Sequence, residues 1–91
     1  MHLLERSKVA IIIPAYNESL TIGRVVDKLK KIGEVIVIDD ASTDRTSLIA
    51  KNNGVKVIKN KFNVGYDSSI NVGFKEIKNK NFEVFLTCDG D

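Results

Sequence analysis

Apolar residues along this chain alternate between two kinds of segment. Val9 to Ile13, Val35 to Ile38 and, with Thr87 inside it, Val84 to Cys88 are nearly unbroken apolar runs. Val55 to Ile58 is a shorter and more polar version, interrupted by Lys56. Runs without polar alternation suit strands covered on both faces, as in a parallel sheet.

The segments between the runs carry helical spacing. Ile22, Val25, Val26, Leu29 and Ile32 recur every three or four positions, which predicts a helix over Leu20 to Ile32 with one apolar face. Asn17 or Ser19 is placed to cap its start and Gly33 to stop it. A second helix is expected from about Asp44 to Asn53, capped by Ser42 or Asp44 and stopped by Gly54. A third is expected from Asp67 to Asn79, with Ile70, Phe74 and Ile77 on one side.

The order is therefore β-α-β-α-β-α-β. Right-handed crossovers turn it into a Rossmann-like, three-layer α/β/α fold with a mainly parallel sheet, and the simplest strand order is 3-2-1-4. That order puts a topological switch between the first and fourth strands. Ligands bind there, outside the carboxyl ends of the strands. It also makes "FEVFLTC" a sheet edge although it is among the most apolar strands. Proteins normally cover such edges, so the chain reads as one domain, residues 1–91, that is incomplete at its C-terminus.

Composition narrows the classes. Ninety-one residues suffice for one small domain, and 43% hydrophobic with 29% charged residues is ordinary for a globular protein. A net charge of +2 with scattered lysines gives no reason to expect nucleic acid. The one cysteine, Cys88, cannot form an internal disulfide; it reads as a small core residue in a cytoplasmic setting. "VAIII" is too short for a secretory signal, and no stretch approaches the ~20 apolar residues of a membrane span.

Chemistry collects after the strands. "PAYNE" follows the first, "DDASTD" the second, "NKFNVG" the third and "DGD" the fourth. Neither glycine-rich phosphate-binding pattern is present, so a phosphorylated ligand would be held through a metal or through helix N-termini. Asp89 and Asp91 are two apart, which points both carboxylates the same way in extended chain. They fit a divalent cation, Mn²⁺ or Mg²⁺, completed by substrate phosphates; the alternative is a solvated acidic tail. Asp39 or Asp40 could brace the next helix, or accept a hydrogen bond from a ligand. A carboxylate accepts from the ring N–H of uracil, guanine or thymine, which cytosine and adenine lack on the pairing edge. Tyr16 offers a flat face for a base, or an aromatic rim for the first helix.

Four segments together, "IIIPAYNE", "VIVIDDASTD", "NVGYDSSINVGFK" and "LTCDGD", resemble the family 2 glycosyltransferases, nucleotide-sugar-dependent enzymes with a GT-A fold. The resemblance runs from Val9 onward and is nearest the polyprenyl-phosphate sugar transferase type, dolichol-phosphate mannose synthase-like. It implies a truncated GT-A fold and inverting transfer of a sugar from a UDP- or GDP-linked donor to an acceptor hydroxyl. Pro14, Tyr16 and Glu18 would line the nucleoside pocket and Asp40 would bind the base. Asp89 would meet the diphosphate and, with Asp91, the divalent metal. The acceptor stays open between a polyprenyl phosphate and a glycan, and a full-length form could associate with the cytoplasmic face of a membrane. The family's catalytic base follows the D-x-D motif, so none is assigned here. Two departures stand out: Ala41 where the family usually has glycine, and Tyr66 with Asp67 where relatives often have basic or small residues.

Two other readings remain. One is a non-catalytic α/β module that self-associates through the fourth-strand edge. The other is a phosphoacceptor domain, suggested by "VIVIDDAS"; it requires a further phosphoacceptor aspartate and a late lysine, each ending its own strand. The acids of the last strand come instead as a D-x-D pair, and no fifth strand carries the lysine.

Overall fold

A computed structural model of the chain describes residues 5–90. After a 3₁₀ turn at Arg6–Lys8 come β1 (Val9–Ala15), α1 (Ile22–Leu29), β2 (Glu34–Asp39), α2 (Thr46–Asn52), β3 (Lys56–Lys59), α3 (Tyr66–Ile77) and β4 (Val84–Thr87). The four strands form one sheet in the order β3-β2-β1-β4, and every pairing is parallel. The expected architecture and strand order are both present.

Alternate residues of the central strands feed two cores, which is why those strands lack polar alternation. Ile11, Ile13, Val35 and Val37 pack with Ile22 and Val26 of α1 and Ala50 of α2. Ala10, Ile12, Ile36 and Ile38 pack on the other face with Ile77 of α3. Two helices on one face and one on the other make the three layers.

Pro14 lies in a central strand, where a missing N–H usually costs a ladder bond. Here the register removes the cost. The carbonyl of Ile12 faces β4 and accepts the Cys88 amide at 3.1 Å, so Pro14, two residues on, faces the same side. The β1–β4 pairing has already ended, at Ile12 with Thr87. Pro14 thus sits where the sheet opens between β1 and β4, two residues beyond their last paired position.

Several local expectations are corrected. The first helix is shorter than Leu20 to Ile32: Leu20 is 97% exposed and Ile32 lies beyond the end of α1. Neither Asn17 nor Ser19 caps it; Thr21 occupies the cap position. Arg45 occupies that position for α2, with Asp44 bonding the Thr46 amide just inside it at 3.0 Å. Gly54 follows α2 with φ +81°, in keeping with its expected role as the stop. The buried seam of α3 is Ser69, Gly73 and Ile77, at i, i+4 and i+8. Phe74 is about half exposed and packs in a tilted arrangement on Phe85 of β4, with ring centroids 5.4 Å apart. Cys88 falls just past β4 and is half-buried rather than a core residue.

Candidate functional site

The loops after β1 and β2 are laced together. The Asn17 side-chain oxygen accepts the Thr43 amide at 2.8 Å, and the Asn17 amide donates to Ser42 Oγ at 2.8 Å. Next along, the Glu18 amide donates to Thr46 Oγ1 at 2.9 Å and the Ser19 amide to Asp44 Oδ2 at 3.2 Å. Burial raises the Asp44 carboxyl, but bonds from Thr46 and Ser19 outweigh it and hold the group below its ordinary value. Polar residues that look like helix caps in the sequence therefore fasten one loop to the other.

Asp39 and Asp40 are both buried, yet they serve different elements. Asp39 turns toward α2, where it accepts the Ser42 amide at 3.0 Å and the Ser47 hydroxyl. Asp40 turns toward α3. Its Oδ1 accepts the Val64 amide at 2.8 Å and Asn60 Nδ2 at 3.0 Å, and its Oδ2 accepts the Gly65 amide at 2.9 Å. Burial pushes its carboxyl up, but these bonds, with one from the Ser69 hydroxyl, outweigh it and hold the group below the usual carboxylate range. An ionised carboxylate offers about four lone-pair directions and only accepts. Oδ1 takes two of these bonds and Oδ2 one, and with the Ser69 hydroxyl the four bonds match the lone-pair directions in number.

At the carboxyl ends of β1, β2 and β4 these loops surround a cleft of about 280 Å³, lined by Pro14, Ala15, Tyr16, Glu18, Asp40, Tyr66, Ser69, Asp89 and Gly90. Pro14, Tyr16, Glu18, Asp40 and Asp89, drawn from three separate motifs, thus meet in one place. Asp91 lies outside the described residues. Sequence reasoning missed Tyr66 and Ser69 as lining residues. They lie one turn apart at the start of α3, inside "NVGYDSSINVGFK", and the signals were that segment's resemblance and the start of α3 at the switch point. A larger depression of about 500 Å³ lies at the opposite end of the sheet, around Arg6, Lys8, Glu34, Lys56 and Phe82. It sits at the amino ends of the strands, away from all four motifs.

No group of three metal-binding side chains occurs among the described residues. The donor set nonetheless suits a hard divalent cation of the Mg²⁺ or Mn²⁺ type. Asp89 is an exposed carboxylate at the cleft, and such ions take one or two carboxylates with phosphate and water oxygens for the rest.

A parallel sheet of order 3-2-1-4, with its cleft at the switch point, has the topology of the front part of a GT-A fold. The sequence profile of glycosyl transferase family 2 matches residues 10–91, and the chain belongs to that family. An uncharacterised protein of Methanocaldococcus jannaschii is 33% identical over 90 residues, covering 97% of this chain and 37% of the relative. Dolichol-phosphate mannosyltransferase of Pyrococcus furiosus is 34% identical over 93 residues, covering 92% of this chain and 26% of that enzyme. Among solved structures, glucosyl-3-phosphoglycerate synthase from Mycobacterium tuberculosis, in complex with Mn²⁺, UDP and glucosyl-3-phosphoglycerate, superposes with a TM-score of 0.75. That match, at 23% identity, covers 93% of this chain and 34% of the other and is a likeness of fold. The chain therefore spans between 26% and 37% of the length of these proteins. Among the described residues no helix is long and apolar enough to cross a membrane.

Proposed function

We propose that this chain forms the nucleotide-sugar-binding part of an inverting glycosyltransferase. The observation that carries the reading is the convergence of Pro14, Tyr16, Glu18, Asp40 and Asp89 on one cleft at the switch point. The cleft has a volume of about 280 Å³, near the lower end of the range for small-molecule sites.

Each residue has a task in this reading. Pro14 opens the sheet between β1 and β4, Tyr16 offers its ring to the base, and Glu18 closes the wall at the start of α1. Asp40 accepts a ring N–H in place of the bond from the Ser69 hydroxyl, which selects uracil or guanine. Asp89, with Asp91, takes the diphosphate through Mn²⁺ or Mg²⁺. Bound there, the cation would neutralise charge growing on the diphosphate leaving group. The acceptor hydroxyl and its base are assigned to no residue described here. A polyprenyl-phosphate acceptor is the finer reading, supported by the likeness to the Pyrococcus enzyme, with a glycan as the alternative; the proposed setting is cytoplasmic.

A second reading, a self-associating module, is favoured by one feature. Phe85 and Leu86 of the β4 edge strand are 43% and 42% exposed, beside the exposed Phe74.

Chemical-shift mapping with UDP and Mg²⁺ tests the donor reading. The amides of Tyr16, Asp40, Gly65, Ser69 and Asp89 should move together while those of Lys8 and Lys56 stay in place. Shifts confined to the opposite depression would overturn it.

A further inference from the structure

Thr21 stands at the cap position of α1, where a threonine normally turns its hydroxyl onto the first amides of the helix. It makes no such bond. Its Oγ1 lies 2.8 Å from the carbonyl oxygen of Gly90 and 3.5 Å from that of Glu18. A hydroxyl has one proton to donate, and the shorter, better contact is the one to Gly90. The helix forgoes a cap, and the group that would have supplied it reaches across 69 positions of sequence.

What it reaches is the centre of the acidic pair. β4 ends at Thr87, and the bond from the Cys88 amide to Ile12 is the last main-chain bond from the sheet to this segment among the described residues. Beyond it the chain passes through Gly90, which is buried. A Cβ there would stand 3.1 Å from Cβ of Ala15, 3.2 Å from Cγ of Glu18 and 3.4 Å from Cδ1 of Ile22. Gly90 is thus seated against the ends of β1 and α1, and its carbonyl is tied down by Thr21. Asp89 directly precedes this fixed point.

We propose that Thr21 is a positioning residue for Asp89: its hydroxyl holds the Gly90 carbonyl, and so orders the main chain next to Asp89 before a metal-bound diphosphate arrives. The proposal rests on the donor-site reading given above. Glycine is the residue with most backbone freedom to lose, so an untied Gly90 must be ordered at each binding event. The effect belongs in the affinity for the metal–diphosphate group.

The test measures Mn²⁺ bound in the presence of UDP, by the electron paramagnetic resonance signal of the free ion, for the 91-residue chain and three variants. Thr21→Val removes the hydroxyl and keeps the shape; Thr21→Ser keeps the hydroxyl; Asp89→Asn removes a carboxylate. The expected result is an affinity about three- to tenfold weaker for Thr21→Val, the range of one hydrogen bond, with Thr21→Ser within about twofold of the parent and Asp89→Asn without detectable binding. Parent-like affinity in Thr21→Val, or equal loss in the valine and serine variants, overturns the latch. If Asp89→Asn still abolishes binding in that case, the donor-site reading stands without it. If Asp89→Asn binds like the parent, the donor-site reading itself fails and the latch goes with it. Should Thr21→Val not fold, Thr21→Ala replaces it and the same comparisons decide.

Discussion

Oδ2 of Asp40 accepts the amide of Gly65 at 2.9 Å, tying the end of β2 to the start of α3. With the Val64 amide and Asn60 on Oδ1, this bond holds the "NKFNVG" loop against the sheet. One buried carboxylate therefore fixes the far wall of the cleft that it also lines. In the proposed donor site, structural and binding roles share this side chain.

The Asp40 bonds make stability depend on pH in a definite direction. The folded carboxyl is held below its unfolded value, so its contribution is present above that value and fades as acid protonates the folded form. The window opens near the ordinary ~3.9 and extends below it. In Asp40→Asn the amide NH₂ must face at least one backbone N–H, at a cost of about 2 kcal/mol at pH 7. Urea unfolding between pH 3 and pH 7 should show a smaller loss in acid for the variant than for the parent.

Ala41 has φ +64°, in the left-handed region where a Cβ is strained. The family resemblance puts glycine here, and the geometry supplies the reason. Ala41→Gly relieves that strain but adds freedom to the unfolded chain, so a net gain of about 0.5–1 kcal/mol is expected. Thermal unfolding checks it; a drop in Tm would contradict the strain.

Gly73 is a matter of space rather than backbone freedom. A Cβ on it would stand 2.6 Å from Cγ2 of Ile12, which is buried in the central strand. Gly73→Ala gains helix propensity but must push α3 off the sheet, for a net loss of about 1–2 kcal/mol in urea titration. A stabilised variant would show that the α3 seam is looser than this contact.

The β4 edge carries a prediction for association. The 91-residue chain should show concentration-dependent association in sedimentation velocity, and Leu86→Lys should shift it toward monomer, because charge on an edge strand blocks pairing. A parent chain that is monomeric at high concentration would remove the support for self-association.

The sheet was legible because its two central strands are buried on both faces, which leaves contiguous apolar runs at Val9 to Ile13 and Val35 to Ile38. The seam of α3 was not, because small residues make it. Ser69 and Gly73 allow the close approach, whereas the large Phe74 drew attention to the wrong face. The motifs meet at one cleft because the end of each parallel strand points the same way. Their division of labour was hidden. Neighbouring residues at the end of a strand face opposite layers, so Asp39 serves α2 and Asp40 serves α3, and nothing in "DD" says which does which. Asn17, Ser42 and Asp44 looked like caps because a cap and a loop-to-loop clasp use the same short polar side chains. The partner of Thr21 lies too far along the chain for any local pattern to show.

The central claim, that this cleft takes a nucleoside diphosphate through a metal and reads a ring N–H, is tested most directly by calorimetric titration of the 91-residue chain with UDP, GDP, CDP and ADP in the presence of Mn²⁺. UDP or GDP should bind more tightly than CDP and ADP, at affinities as weak as millimolar, about 4 kcal/mol, and the preference should shrink in Asp40→Ala. Equal binding of all four nucleotides, or binding indifferent to Mn²⁺, would contradict it.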